Sequence, residues 1–209
     1  MSLGRKLIST GGVAEVCTTD TADKFDDSSD VALYTLDYDA SDASGDNDGT
    51  PTDVTFGVSG QINYGARFNG TSSYISTSIN AQNISTITYS FWAYWKSDID
   101  GIVIGGTGND GATGKKSNRQ TTSLNGASNR FDYITRQGDF CRHTTSLSEG
   151  WHHFVVTDNN STDPAIAVNM YVDGSSVTFS TPLLNRSYST NTALQIGRSR
   201  KNDGTIGSF

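Results

Sequence analysis

The sequence predicts an all-β protein, built as a sandwich of two antiparallel sheets. Short runs rich in β-branched and aromatic residues recur along the chain, and Gly, Asn and Asp separate them. No run of ten or more residues shows a helical period. The composition agrees, since 22 of the 209 residues are Gly and only 34% are hydrophobic, which is typical of short strands joined by polar turns. This length is enough for one sandwich core and a short extension.

The first part of the chain differs from the rest. Residues 1–30 contain a Gly11-Gly12 break and a polar, acidic stretch, Thr18–Asp30. We interpret them as an N-terminal extension that attaches the protein to a neighbour or forms a disordered lead-in. Residues 31–209 are the predicted sandwich domain.

Strand signals begin directly after this extension. Asn69-Gly70 lies between two short apolar runs and predicts a hairpin turn. An acidic turn region, Asp37–Asp53, separates the first two strands. The strands predicted in this part are Val31–Leu36, Val54–Val58, Ala66–Phe68 and Tyr74–Ile75.

Ile87–Trp95 is the strongest predicted strand. Successive side chains of a strand point to opposite faces, and here both faces carry aromatic residues. The pattern therefore predicts a central strand that is covered on both sides. One face carries Tyr89, Phe91, Ala93 and Trp95, and the other carries Thr88, Ser90, Trp92 and Tyr94.

The second half of the sequence predicts further strands and one long loop. Thr107–Ser128 is rich in Gly, Asn and Thr and is predicted to be a loop, which its length marks as functional. Asp173-Gly174 predicts a hairpin with a primed turn. The predicted strands are Ile102–Ile104, Phe131–Ile134, Gly150–Thr157, Ala165–Val172, Ser176–Phe179 and Leu194–Ile196.

The order of these elements resembles the laminin-G-like branch of the concanavalin-A-like jelly rolls. The resemblance spans roughly residues 31–200 and implies a jelly roll that mostly binds ligands, with recognition in the loops 37–53 and 107–128. The family pattern has one more strand after Leu194–Gly197, so we expect either that the sequence is cut short before that strand or that another chain or the N-terminal extension completes the sheet. The blocks that carry the resemblance are Tyr64–Ile75, Thr88–Trp92, Gly150–Thr157, Met170–Gly174 and Leu194–Gly197.

A second resemblance concerns the extension. Thr21–Phe25 resembles linker segments of bacteriophage tail-fibre and other virion proteins. It implies a non-enzymatic structural or recognition module on a virion surface, as a capsid decoration, fibre or tail appendage. Its partners would be other virion proteins, bound through residues 1–30, and host-surface glycans, within a homo-oligomer or larger assembly. The alternatives are a lectin domain of a secreted or surface bacterial protein and, more distantly, a glycan-cleaving enzyme.

Charge and hydrophobicity exclude two classes of partner, and the cysteines leave the question of a disulfide open. The net charge is −7, and an acidic surface repels nucleic-acid phosphates, so no nucleic-acid partner is expected. No stretch approaches the roughly 20 apolar residues of a membrane helix, so no membrane insertion is expected. Cys17 and Cys141 are interpreted as two thiols, although the sequence leaves a disulfide between them open.

The motifs argue against catalysis. Glycosidases use paired carboxylates, usually Glu in jelly-roll glycanases, and this chain has only Glu15 and Glu149. His152 and His153 are neighbours on a predicted strand, so they cannot jointly chelate one metal ion. Gly106–Gly111 matches Gly-x-Gly-x-x-Gly but no helix pattern follows it. No catalytic residue is therefore predicted.

Two candidate binding sites emerge. Calcium takes about six to eight oxygen ligands, and the first acidic loop supplies several, although such residues also favour plain solvated turns. Flat aromatic rings can stack on a pyranose, although a two-sided aromatic strand also suits a core. The calcium candidates are Asp39, Asp42, Asp46, Asn47 and Asp48, and the ligand-stacking candidates are Trp92, Tyr94, Trp95 and Tyr133.

Overall fold

The structure, a computed structural model, is all-β. It describes residues 31–80, 86–109, 116–136, 139–159, 161, 167–180, 190–191, 193–200 and 206–208. The elements that these residues form are all β-strands, which confirms the predicted fold class. None of them belongs to a helix long and apolar enough to cross a membrane. The predicted extension, residues 1–30 with Cys17, lies outside the described residues.

The larger sheet has eight strands, and every pairing in it is antiparallel. Strand β13 (Thr190–Asn191) pairs with β6 beside β14. The other strands follow one another in space as β1 (Thr50–Thr52), β4 (Tyr74–Ser76), β14 (Gln195–Ile196), β6 (Asp100–Asn109), β7 (Lys116–Asn125), β8 (Arg130–Arg136) and β9 (Asp139–Thr144).

The smaller sheet has four strands and carries the strongest predicted strand at one end. Its spatial order is β12 (Ser175–Ser176), β11 (Val168–Val172), β10 (Gly150–Asp158) and β5 (Ile87–Trp95). Two ribbons complete the described elements: β2 (Thr55–Ser59) with β3 (Tyr64–Arg67), and β15 (Arg198–Arg200) with β16 (Ile206–Ser208).

The core lies between the two sheets because each contributes one apolar face. Phe154 of β10 lies directly opposite Phe91 of β5 and is fully buried. Its ring packs edge-on against Phe131 of the larger sheet, with the centroids 4.9 Å apart. Aromatic pairs at such distances add stability beyond the buried area. The same core cluster includes Tyr89, Ala93, Trp95, Leu124, Tyr133, Cys141, Val156 and Met170.

The hairpin predicted at Asp173-Gly174 is confirmed. It joins β11 to β12, and both turn residues have positive φ, 50° for Asp173 and 78° for Gly174. Two positive φ values define the type I′ turn, whose twist matches that of the strands it connects.

Four sequence predictions were wrong in detail. The runs on either side of Asn69-Gly70 do not pair, because β3 pairs with β2 while β4 lies in the larger sheet. The Asn69 side chain explains this local shape, since its Oδ1 accepts hydrogen bonds from three successive backbone N–H groups, those of residues 71–73. Val31–Leu36 is not a strand, since only Tyr34 forms an isolated bridge, to Asp42.

The third error concerns the predicted loop 107–128. Most of its described part is strand, because β6 runs on to Asn109 and β7 covers Lys116–Asn125. Strand β7 is polar in composition, yet Thr121, Thr122 and Leu124 are fully buried. Thr is β-branched and fits a pleated strand, so β7 is a strand although its sequence lacks an alternation of hydrophobic and polar residues.

The fourth error concerns the position of Ile87–Trp95 in its sheet. Among the described residues it is an edge strand of the four-stranded sheet, not the predicted central strand.

Candidate functional site

The outward face of the four-stranded sheet carries a cluster of rings. On β5 and β10 the residues that alternate with the core residues must point away from it. The strand register places Trp151 opposite Tyr94, and His153 opposite Trp92. These four residues, two on each strand, form one patch, which we call the aromatic row.

The rings of the aromatic row contact one another in pairs. Tyr94 and Trp151 meet edge to face, with centroids 5.7 Å apart. Trp92 and His153 stack at 5.2 Å with their planes 29° apart. Tyr94 is 43% exposed. The row therefore presents rings that are fixed by their neighbours and still reach solvent.

Polar groups border these rings. The Tyr94 hydroxyl donates to Glu149 Oε1 at 3.3 Å. His153 Nε2 lies 2.9 Å from Ser90 Oγ, which is the next outward residue on β5. Burial lowers the pKa of His153, although the charge of Asp173 opposes this. The imidazole is therefore neutral at neutral pH, so one ring nitrogen donates a hydrogen bond and the other accepts one.

Farther along the same face, the outward residues become small and polar. Thr88, Thr157 and Asn169 lie side by side on β5, β10 and β11. Asn169 Nδ2 donates to Thr157 Oγ1 at 3.2 Å. We call these three residues, with Ser90, the polar strip.

His152 takes no part in this face. Its Nδ1 lies 2.7 Å from Asp173 Oδ2 and its Nε2 lies 2.9 Å from the Ser148 carbonyl oxygen. The two imidazole rings thus have separate partners on opposite sides of β10, as the strand period predicts. Burial raises the pKa of Asp173, but hydrogen bonds from the His152 ring and the His153 backbone N–H outweigh burial and lower it on balance.

The four predicted ligand-stacking residues separate into two places. Trp92 and Tyr94 lie in the aromatic row, whereas Trp95 and Tyr133 lie in the core, 2% and 0% exposed. The Tyr133 hydroxyl donates to the buried carboxylate of Asp158 at 2.8 Å. Both rings are out of reach of a surface ligand, because Tyr133 is fully buried and Trp95 shares its strand face with the buried Tyr89 and Ala93.

Sequence reasoning missed Trp151, His153 and Ser90 as members of the site. Their strands were predicted, but His153 was considered only as a metal ligand, and Trp151 and Ser90 were not among the ligand-stacking candidates. The missing signal was the register, which sets Trp151 beside Tyr94 and His153 beside Trp92. Strand pairing between residues about sixty positions apart cannot be read from one sequence.

The first acidic loop is organised around Asp42, which is 4% exposed. Its Oδ1 accepts from the backbone N–H groups of Leu33 and Ser44, at 2.7 and 2.9 Å. Its Oδ2 accepts from the Ser44 hydroxyl and from the Asn47 N–H, the latter at 3.1 Å. A carboxylate offers about four lone-pair sites, and these four bonds fill them. Burial raises the pKa of Asp42, but the hydrogen bonds lower it on balance.

Three of the other calcium candidates, Asp39, Asn47 and Asp48, also make hydrogen bonds within the protein. Asp48 Oδ1 accepts from the Asp42 N–H, and Asp39 Oδ1 accepts from the Ser41 N–H. Asn47 Oδ1 accepts from the Ser78 hydroxyl at 2.8 Å. Across the described part of the chain, no three His, Cys, Asp or Glu residues are grouped so as to hold a metal ion. Calcium binding by this loop, including Asp46, stays a prediction.

Comparison with known families identifies the fold. Residues 69–209 match the laminin-G-type family Laminin_G_3, described as the concanavalin A-like lectin/glucanases superfamily. The chain belongs to this family. The match covers most of the chain and confirms the jelly-roll resemblance read from the ordered strand blocks. No curated protein matches the sequence.

A solved structure agrees at the level of fold. A Trypanosoma rangeli sialidase, in complex with 2,3-difluorosialic acid, aligns with a TM-score of 0.51 at 12% identity, over 80% of this chain. The alignment covers 27% of the sialidase, so this chain corresponds to about a quarter of it. The carbohydrate-binding module CBM66 from Bacillus subtilis aligns at 13% identity with a TM-score of 0.38, over 79% of this chain and 91% of the module.

Proposed function

We propose that this protein is a non-enzymatic carbohydrate-binding module and that the aromatic row contacts the sugar. The observation that carries the proposal is the pair of ring contacts that sets Trp92 and Tyr94 on an outward sheet face. Membership of a lectin and glucanase family supports the same function.

The chemistry of the row suits a sugar. A pyranose has an apolar face of C–H groups and a rim of hydroxyls, so it is bound by a flat ring together with nearby donors and acceptors. Tyr and Trp combine a large apolar surface with a polar group. Ser90, His153 and Glu149 supply hydrogen-bonding groups beside the rings. The row thus offers both kinds of contact over one small surface.

The carboxylates near the row support a binding role over hydrolysis. Glycosidases mostly need two carboxyl groups flanking the bond that is cleaved. Glu149 contacts Tyr94 at one end of the row. Asp173 is held by the ring of His152 and the backbone of His153, so it is committed to structure.

The decisive test is glycan-array binding followed by titration calorimetry. We expect Tyr94→Ala and Trp92→Ala to weaken binding to the best glycan at least about tenfold, which equals about 1.4 kcal/mol. Tyr38→Ala is the matched control, because Tyr38 is 68% exposed and its ring contacts that of Tyr64 in the β2–β3 ribbon, with the planes tilted by 45°. Equal affinity in Tyr94→Ala and Tyr38→Ala, with both variants folded, would rule out the row as the site.

We further propose a virion surface as the setting, where residues 1–30 attach the domain to other virion proteins in an oligomer or larger assembly and host-surface glycans are the ligands. The support is the likeness of Thr21–Phe25 to virion linker segments. The alternative setting is a secreted or surface bacterial protein. Immunodetection of this chain in purified particles and in cell fractions separates the two, and its absence from particles would exclude the first.

A further inference from the structure

We infer that the ligand is an uncharged, linear oligosaccharide that lies along β5 and β10, from the aromatic row to the polar strip. This inference rests on the proposed function and adds the class of glycan. It would exclude recognition of a single terminal sugar.

The length of the face is the first argument. The row begins at Tyr94 and Trp151, and the strip ends at Thr88 and Thr157, six residues away on each strand. An antiparallel strand rises about 3.4 Å per residue, so the outward face is about 20 Å long. A single pyranose covers only a fraction of this length, whereas a chain of several sugars would cover it all.

The chemistry along the face is the second argument. Rings occupy one end, where a sugar can stack, and hydroxyl and amide groups occupy the other. Thr88, Ser90 and Asn169 are exposed, and Thr157 is half-buried. The bond from Asn169 Nδ2 to Thr157 Oγ1 orients both groups and leaves the Thr157 hydroxyl hydrogen available to a ligand. A linear glycan would thus meet stacking groups first and hydrogen-bonding groups farther along.

The charge of the face is the third argument. The outward side chains of β5 and β10 are Thr88, Ser90, Trp92, Tyr94, Trp151, His153, Val155 and Thr157. None of them is charged at neutral pH, since the imidazole of His153 is neutral there. Glu149 at the Tyr94 end and a net charge of −7 disfavour acidic glycans.

Calorimetry with oligosaccharides of increasing length tests this. The probes are cello-, malto- and chito-oligosaccharides of two to six units, with oligogalacturonates as the acidic series. In the series that binds, we expect the affinity to rise at least about tenfold from two units to four or five and then level off, and we expect oligogalacturonates to bind more weakly.

Variants of the strip separate this inference from the proposed function. Thr157→Val and Asn169→Ala should remove most of the gain in affinity with length, whereas Tyr94→Ala should weaken the binding of two-unit and longer sugars alike. Ser128→Ala, in a turn outside the face, is the control. Equal affinity for short and long sugars, tighter binding of oligogalacturonates, or strip variants that behave like the wild type would overturn the inference alone. No binding to any glycan would overturn the proposed function with it.

Discussion

Replacing Phe154 by Ala should reduce stability more than most other single changes in this domain. Phe154 is fully buried and its ring contacts three others: Phe131 at 4.9 Å, Phe91 at 5.6 Å and Trp95 at 6.3 Å. A buried Phe→Ala change costs about 3–5 kcal/mol, from lost transfer energy and the cavity left behind. Each aromatic pair adds about 0.5–1.5 kcal/mol beyond the buried area, so we expect the upper half of that range.

Urea unfolding followed by Trp fluorescence measures the effect. A loss of about 4 kcal/mol is a large part of the 5–15 kcal/mol typical of a domain. At about 2–4 °C per kcal/mol, Tm should fall by roughly 8–16 °C. Val155→Ala, one residue along the strand on the outward face, is the control and should cost about 1 kcal/mol or less. A loss below about 1 kcal/mol for Phe154→Ala would show that Phe154 does not join the two sheets.

Three other predictions address the turns and the acidic loop. Gly126→Ala should destabilise the protein by about 1–3 kcal/mol, because its Cβ would lie 2.0 Å from the carbonyl oxygen of Lys96; the exposed Ser128→Ala in the same turn should change urea unfolding little. Asp173→Asn keeps a residue that tolerates positive φ but removes the charge. Because the pKa of Asp173 is lowered in the folded state, its carboxylate stabilises the fold at pH values above the ordinary carboxyl pKa. This stabilisation is lost as the pH falls below that value, so the Tm difference between wild type and variant should shrink below about pH 4. Asp42 already accepts four hydrogen bonds, so chelation by EDTA should leave Tm unchanged; a fall in Tm that calcium reverses would establish the predicted calcium site.

Much of the smaller sheet could be predicted from the sequence. Ile87–Trp95 and Gly150–Asp158 alternate between core and surface residues. The pair Asp173-Gly174 is strongly preferred in primed hairpin turns, so it indicated the turn directly. The larger sheet was harder to predict. Strand β7 buries threonines where a hydrophobic pattern expects aliphatic residues, and β9 (Asp139–Thr144) shows no clear alternation.

The candidate site was predictable only in part. Trp92 and Tyr94 were identified because aromatic residues on both faces of one strand are visible in the sequence. Trp95 was chosen for the same reason, although its parity with Ala93 already placed it on the other face. Trp151 and His153 could not be added, because their place depends on how β10 pairs with β5. Tyr133 lies on a strand of the opposite sheet, and its burial depends on how the two sheets pack.

The edge position of β5 has a consequence for motion. In the described part of the chain, β5 hydrogen-bonds to β10 on one side only, so its amide groups alternate between those that face β10 and those that face away. The amides that face away from β10 can exchange their hydrogens without breaking an inter-strand hydrogen bond. Edge strands therefore belong to the parts of a fold that are least protected from hydrogen exchange. Half of the aromatic row and half of the polar strip lie on this strand. A ligand that bridges β5 and β10 would therefore slow amide hydrogen exchange along β5 far more than along β8. The ordering of β5 would make an unfavourable entropic contribution to the free energy of binding.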